Sequence, residues 1–156
     1  MGILDRWRSR EPETVLAEDP AQDDLLEPVE EVTSRPLTGD EEARLEAYRL
    51  RYADHGIDPT DLVSVAAAYD AAVERDDEAE ASEVVTVVST VIGDHLVAAG
   101  YRWVVANDPF GTDLAVEPPR RGVPVVLRTL VAVRWMKREQ GWVENVVGHL
   151  ASAGRR

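Results

Sequence analysis

The residue types best suited to binding chemistry in this chain fall in one short stretch, Asn107-Asp108-Pro109-Phe110-Gly111-Thr112-Asp113. Two carboxylates beside an aromatic ring suit a ligand, a cation or the basic side chain of a partner. Asn, Asp, Pro and Gly are also what a tight turn needs for purely local reasons. Phe110 either tucks under the turn, which we favour, or stands out as an anchor. We therefore predict a binding site at Asn107, Asp108, Phe110 and Asp113, with an ordinary turn as the alternative.

A second group of candidate binding residues is basic. Arg134, Lys137 and Arg138 recur at spacings of three and four, which places them on one stripe of a helix. The simplest interpretation is a solvated helix face. A sharper hypothesis is that the acidic N-terminal arm folds back onto this stripe, or that both bind one partner. Each exposed ion pair contributes about 0–1 kcal/mol, so only several pairs acting together would hold the arm.

Familiar catalytic and metal-binding patterns are missing from the sequence. The chain has no cysteine and three histidines, and it contains no HExxH pair, no Gly-x-Ser-x-Gly elbow and no glycine-rich phosphate loop. We therefore predict no catalytic residue, no metal and no cofactor, and we lean towards a protein that is not an enzyme. The open alternative is a small-ligand or hydrolase-like site that gathers Asp94, His95 and Asp113, since acid–base chemistry needs hydrogen-bond reach.

Charge is distributed unevenly along the 156 residues, whose net charge is −13. Residues 1–83 carry 24 acidic and 8 basic side chains (net −16), and residues 84–156 carry 6 acidic and 9 basic ones (net +3). The acidic half opposes a phosphate backbone, so nucleic-acid binding is not expected. With no apolar run of membrane-spanning length and no signal-peptide core, we expect a cytoplasmic protein without a membrane span.

The elements that must position these residues begin after an arm. Residues 1–37 are acidic and contain Pro12, Pro20, Pro28 and Pro36, and they are predicted to be disordered because prolines interrupt any helix there. Residues 38–152 are predicted to form a single α+β domain, and residues 153–156 a tail.

Three helices are predicted at the start of the domain. Thr38 and Glu41 have the spacing of a capping box. Gly56 suits the left-handed residue that closes the first helix, and Asp58 suits the cap of the second. An acidic turn is predicted at residues 76–83. The apolar run from Val84 to Val97 that follows is predicted as a third helix, because it is too long and too irregular for a strand, although its β-branched residues favour a strand.

A small sheet and two further helices are predicted to follow. Apolar residues alternate from Tyr101 to Val116 on both sides of a connection of about five residues, which predicts a β-hairpin. Val123 to Leu127 is predicted as a third strand, which makes a three-stranded antiparallel meander. Helices are then predicted from Thr129 to Glu139 and from Trp142 to Ser152. The fold class is therefore α+β.

The chain from Gly93 to about residue 150 resembles the bacterial DUF3806 family, a family of domains of unknown function. The resemblance rests on Gly93-Asp94-His95-Leu96-Val97, Tyr101-Arg102-Trp103-Val104-Val105, Phe110-Gly111-Thr112-Asp113-Leu114-Ala115-Val116, Arg134-Trp135 and Gly141-Trp142. The chain departs from the family's usual proline and lysine near the third strand, where it has Leu127-Arg128 and Val133. The resemblance implies a shared fold and no established activity.

These observations favour a non-enzymatic interaction module. We expect the sheet surface and the hairpin loop to bind a protein partner, in the manner of an immunity protein or a chaperone. The small-ligand or hydrolase-like site near residues 107–113 and His95 is the alternative. The sequence leaves the identity of the partner and the oligomeric state open.

Overall fold

A computed structural model describes residues 32–109 and 111–155 of the chain. Within these residues the elements are β1 (Thr33–Arg35), α1 (Gly39–Arg49), α2 (Leu62–Arg75), α3 (Glu78–Ala98), β2 (Arg102–Asp108), β3 (Gly111–Glu117), α4 (Leu127–Met136) and α5 (Val143–Gly154). The α+β class and the three-stranded antiparallel sheet are confirmed. The prediction of disorder for residues 1–31 lies outside the described residues.

The sheet has the order β1-β2-β3, and its first strand comes from a part of the chain that we predicted to be disordered. Ser34 pairs with Ala106, about seventy residues away in sequence, so β1 precedes the three helices that separate it from β2. The predicted boundary at Thr38 is therefore too late. Three residues are too few to show the alternation of apolar and polar side chains that marks a strand. The strand is therefore recognised only from its pairing with β2.

The predicted third strand at 123–127 is wrong, and so is the meander. Val125 forms one isolated bridge with Val116, and α4 already begins at Leu127. Prolines lack amide donors. Pro118 and Pro119 before the predicted strand, and Pro124 within it, therefore prevent residues 118–127 from forming a continuous ladder of hydrogen bonds with β3.

The hairpin itself is tighter than predicted. Asp108 pairs with Gly111, which leaves Pro109 and Phe110 as the two connecting residues rather than about five. Asn107 and Asp108 are consequently strand residues, not loop residues.

Local signals locate the start of α1 correctly and that of α2 three residues too early. The capping box is present: the Thr38 hydroxyl accepts from the Glu41 amide, and the Glu41 carboxylate accepts from the Thr38 amide at 2.8 Å. Gly56 is left-handed, with φ 68°, but it follows a short 3-10 turn, because α1 already ends at Arg49. Asp61 rather than Asp58 caps α2, since the Asp58 side chain accepts from the Thr60 amide instead.

The valine-rich run is helical, as predicted, and forms the centre of the core. Helix α3 begins at Glu78 with Asp77 as its cap, so the expected acidic turn is shorter than residues 76–83. By length and composition α3 alone among the described helices is apolar enough to cross a membrane. Ten of its residues are buried against the rest of the fold.

The last two helices differ from the prediction at their ends. Val126 rather than Thr129 precedes the first turn of α4, and α4 ends at Met136, three residues early. Helix α5 continues to Gly154, beyond the predicted end at Ser152, so the expected tail begins later. Val143 and Val147 of α5 are buried, as predicted, and Val146 and Leu150 are partly buried.

Candidate functional site

One carboxylate ties together three elements near the middle of the domain. Asp94 on α3 accepts hydrogen bonds from Arg49 Nε (2.9 Å) and Nη2 (2.7 Å) on α1, and from the Tyr52 hydroxyl (2.9 Å). It also accepts from the indole N–H of Trp103 on β2 at 3.1 Å. These four donors occupy the carboxylate fully, so its role in the described structure is to position α1 and β2 on α3.

The electrostatics of this cluster agree with a structural role. Burial opposes ionisation of Asp94, but the hydrogen bonds, that from Arg49 first among them, outweigh it and hold the pKa of the carboxyl below its ordinary value. Burial and the neighbouring Asp94 charge raise the pKa of the Tyr52 hydroxyl. A strongly held carboxylate with a lowered pKa is a poor general base at neutral pH.

A glycine makes room for the tryptophan of this cluster. A Cβ atom at Gly93 would lie 2.1 and 2.2 Å from two atoms of the Trp103 ring, and 2.8 Å from Leu127 Cδ1. Two neighbouring residues of α3 therefore position Trp103. Gly93 leaves space for the ring, and Asp94 accepts a hydrogen bond from its N–H. Gly93, Asp94 and Trp103, three of the residues on which the suspected resemblance rests, thus have a packing explanation.

Beside this cluster lies a small pocket, which we call the central pocket. Its apolar walls come from four elements: Tyr48 of α1, Trp103 of β2, Leu114 of β3 and Leu127 of α4. The space open to water-sized molecules is about 40 Å³. A water molecule needs roughly 10–15 Å³ by this measure, so the pocket holds a few waters or one small polar group.

The floor of the central pocket is a row of hydroxyl groups on α3. Thr86, Ser89 and Thr90 are spaced three and four apart, so they lie on one face of an otherwise valine-rich helix. Ser89 and Thr90 are buried, and their hydroxyls donate to carbonyls one turn back, at Val85 (2.5 Å) and Thr86 (2.8 Å). Because the hydroxyl protons of Ser89 and Thr90 are used within the helix, their oxygens keep lone pairs that can act as acceptors.

Two arginines complete the central pocket. Arg44 of α1 and Arg128 of α4 both line it, and both are exposed. Neither makes an ion pair or side-chain hydrogen bond within the part of the chain that the structure describes, whereas most described arginines do. Arg120 and Arg121 are also without an acidic partner among these residues, but they line a separate open cleft at the 118–122 turn.

The predicted hairpin site is only partly assembled. Asp113 is half-buried and lines the central pocket, and its Oδ1 accepts from the Leu114 amide at 2.8 Å. Asn107 is exposed, accepts from the Thr112 hydroxyl at 3.2 Å and does not line that pocket. Asp108 is half-buried at the end of β2. Phe110 lies outside the described residues.

The predicted basic stripe is not continuous in the structure. Arg134 is partly buried, stacks over the Trp142 ring at 4.9 Å and donates to the Leu130 carbonyl. Arg138 lies beyond α4 with φ 55°, and pairs with Asp76 at 2.5 Å. Lys137 ends the helix and is exposed. Two of the three stripe residues thus have partners within the described domain, Arg134 partly buried and Arg138 at the surface.

The central pocket does not gather the residues of the alternative enzymatic site. Asp113 lines the central pocket, and neither Asp94 nor His95 does. Across residues 32–109 and 111–155, no group of three or more His, Asp or Glu side chains is arranged to hold a metal ion.

Comparison with known proteins adds nothing to this geometry. No family model, no curated protein and no solved structure matches the chain. The resemblance to the DUF3806 family stays a prediction.

Sequence reasoning missed most of the central pocket. The hydroxyl row on α3 is visible in the sequence as the polar positions of a valine-rich run, but nothing in that pattern indicates a pocket. Arg44 and Arg128 carried no signal, because only the fold brings residues of α1 and α4 together.

Proposed function

We propose that this chain is a non-enzymatic, cytoplasmic binding module that holds an anionic group of a partner protein in the central pocket. The observation that carries the proposal is the pair Arg44 and Arg128, two exposed cations that line one pocket and have no acidic partner among residues 32–109 and 111–155. An unpaired guanidinium is a strong hydrogen-bond donor to carboxylates, and two from different helices make a directional site.

The size of the pocket supports a binding role over a catalytic one. Pockets for drug-sized molecules usually measure roughly 300–1,000 Å³, far more than the central pocket offers. A single side chain or chain end of a partner fits this scale, with further contacts on the surrounding surface. Asp94, which accepts from the pocket residue Trp103, is already occupied by four donors. Asp113, the carboxylate that lines the pocket, accepts from the Leu114 amide.

Affinity capture from native lysate tests the proposal when it compares three forms of the full chain. The pocket form carries Arg44→Glu and Arg128→Glu, and the control carries Arg120→Glu and Arg121→Glu. The two forms have the same net charge, and all four arginines are exposed and unpaired among the described residues. Thermal unfolding by circular dichroism checks that each form folds.

We expect the native chain and the control to enrich the same protein, and the pocket form to lose it. Equal enrichment by all three forms would rule out the central pocket as the binding site. Absence of any enriched protein from all three would contradict the protein-partner role itself.

A further inference from the structure

We infer that the central pocket selects a carboxylate that carries a neighbouring N–H donor, the chemistry of a peptide carboxyl terminus or of a free amino acid. This inference rests on the proposed function and names its ligand class. It follows from the arrangement of donors and acceptors around the pocket. The donors belong to α1 and α4, and the acceptors belong to α3 and β3.

The donor side is formed by Arg44 and Arg128. Guanidinium groups have only donors and match the two oxygens of a carboxylate. Arg128 is also in the first turn of α4, whose cap residue Val126 offers no side-chain acceptor. The first amides of α4 therefore add donors and partial positive charge beside Arg128.

The acceptor side is formed by the hydroxyl row and by Asp113. Ser89 and Thr90 already donate to their own helix, so they offer oxygen lone pairs to a ligand. The Asp113 carboxylate lines the same pocket and is free of any ion pair among the described residues. A bare anion would leave these acceptors facing its oxygens, whereas an N–H beside the carboxylate satisfies them.

The net charge of the pocket limits the charge of the ligand. Two guanidinium groups and one carboxylate give one net positive charge, which suits a monoanion better than a dianion. Inorganic phosphate, which carries more charge and no N–H, should therefore bind more weakly than a carboxylate with an adjacent N–H.

Titrations of the full-length, ¹⁵N-labelled protein followed by NMR test the inference with small matched probes. N-acetylglycine has the carboxylate and the N–H, acetate has only the carboxylate, and N-acetylglycinamide has only N–H groups. We expect shifts at the Trp103 indole N–H and the Leu114 amide, with N-acetylglycine at least tenfold tighter than acetate, phosphate or N-acetylglycinamide. Comparable affinity for all four probes, or shifts only outside the pocket, would overturn the inference.

Glycine separates the two sources of this chemistry. Tighter binding of glycine than of N-acetylglycine identifies a free amino acid as the ligand, because its ammonium group then pairs with Asp113. Tighter binding of N-acetylglycine identifies a chain terminus. Either result supports the carboxylate-plus-donor class, but a free amino acid as the ligand would contradict the protein-partner role.

Single substitutions assign the binding to the pocket. Arg44→Gln and Arg128→Gln should each weaken N-acetylglycine at least fivefold, whereas Arg120→Gln, equally exposed, should leave it unchanged within twofold. Unchanged affinity in both pocket variants would overturn the inference. If no probe binds while the pocket form still loses its captured partner, only the ligand class is wrong. If the probes bind and capture is indifferent to the pocket, the partner role fails instead.

Discussion

At the scale of single residues, the hydrogen-bonded Asp94 is the most consequential polar side chain in the described fold. We expect Asp94→Asn to lower the free energy of unfolding by about 2–3 kcal/mol, since an amide keeps one oxygen but sets its own N–H groups against the Arg49 donors. Urea denaturation measures the change. Glu144→Gln, at an exposed position of α5, is the matched control and should change stability by less than about 0.5 kcal/mol. Equal effects of the two would show that the cluster does not stabilise the fold.

Glu41 makes stability depend on pH in the acid range. The hydrogen bond from Arg35, followed by that from the Thr38 amide, lowers the pKa of Glu41 to about 2 from 4.5. A carboxyl whose pKa is lower in the folded state binds its proton more readily when unfolded. Its contribution is therefore complete above about pH 4.5 and is lost as the pH falls towards 2.

The measurement is thermal unfolding of the native chain and of Glu41→Gln at several pH values. We expect the variant to melt at a lower temperature at pH 7, and the gap between the two to narrow steadily below pH 4.5. A gap that stays constant from pH 7 to pH 2.5 would contradict the role of the ionised carboxylate.

At the scale of elements, the contact between α3 and β2 depends on a missing side chain. Gly93→Ala should destabilise the protein by about 1–3 kcal/mol, because its Cβ would overlap the rigid Trp103 ring. The control is Gly148→Ala in α5, where nothing lies within 4 Å of the added carbon. That change should stabilise the helix by up to about 1 kcal/mol, because alanine is the better helix former.

Chemical denaturation measures the free energy of unfolding of both variants, which should fall for Gly93→Ala and rise for Gly148→Ala. A stabilising Gly93→Ala would show that the Trp103 ring moves without cost, and that α3 and β2 are less tightly fixed than the described packing implies.

At the scale of the whole molecule, Arg138 joins the turn after α4 to the carboxyl end of α2. Its guanidinium pairs with Asp76 and donates to the Val73 carbonyl at 3.3 Å, although its own backbone is left-handed. We expect Arg138→Ala to cost about 1 kcal/mol from the lost interactions at a helix end, because the left-handed backbone is strained equally in both residues. Arg138→Gly should cost less, since glycine relieves the strain. Equilibrium unfolding measures the loss of stability in both variants. A larger loss for Arg138→Gly than for Arg138→Ala would contradict backbone strain at this position.

Much of the fold could be predicted because its signals are local. The Thr38 and Glu41 capping box, the α3 run and the hairpin each depend on residues within a few positions of one another. One error came where neighbouring residues offered equal choices. Asp58 and Asp61 are both good helix caps, and Thr60 decides between them by donating its amide to Asp58.

The sequence alone determined the α+β class, the helical state of the valine-rich run, and the absence of cysteine chemistry. Only the tertiary structure decided which strand completes the sheet, that Arg134 and Arg138 have partners within the described domain, and that Arg44 and Arg128 line one pocket. Helix caps and periodicity report interactions within a turn or two of the chain. Strand pairing, ion pairs and pockets join residues tens of positions apart, and their positions follow from how the whole core packs.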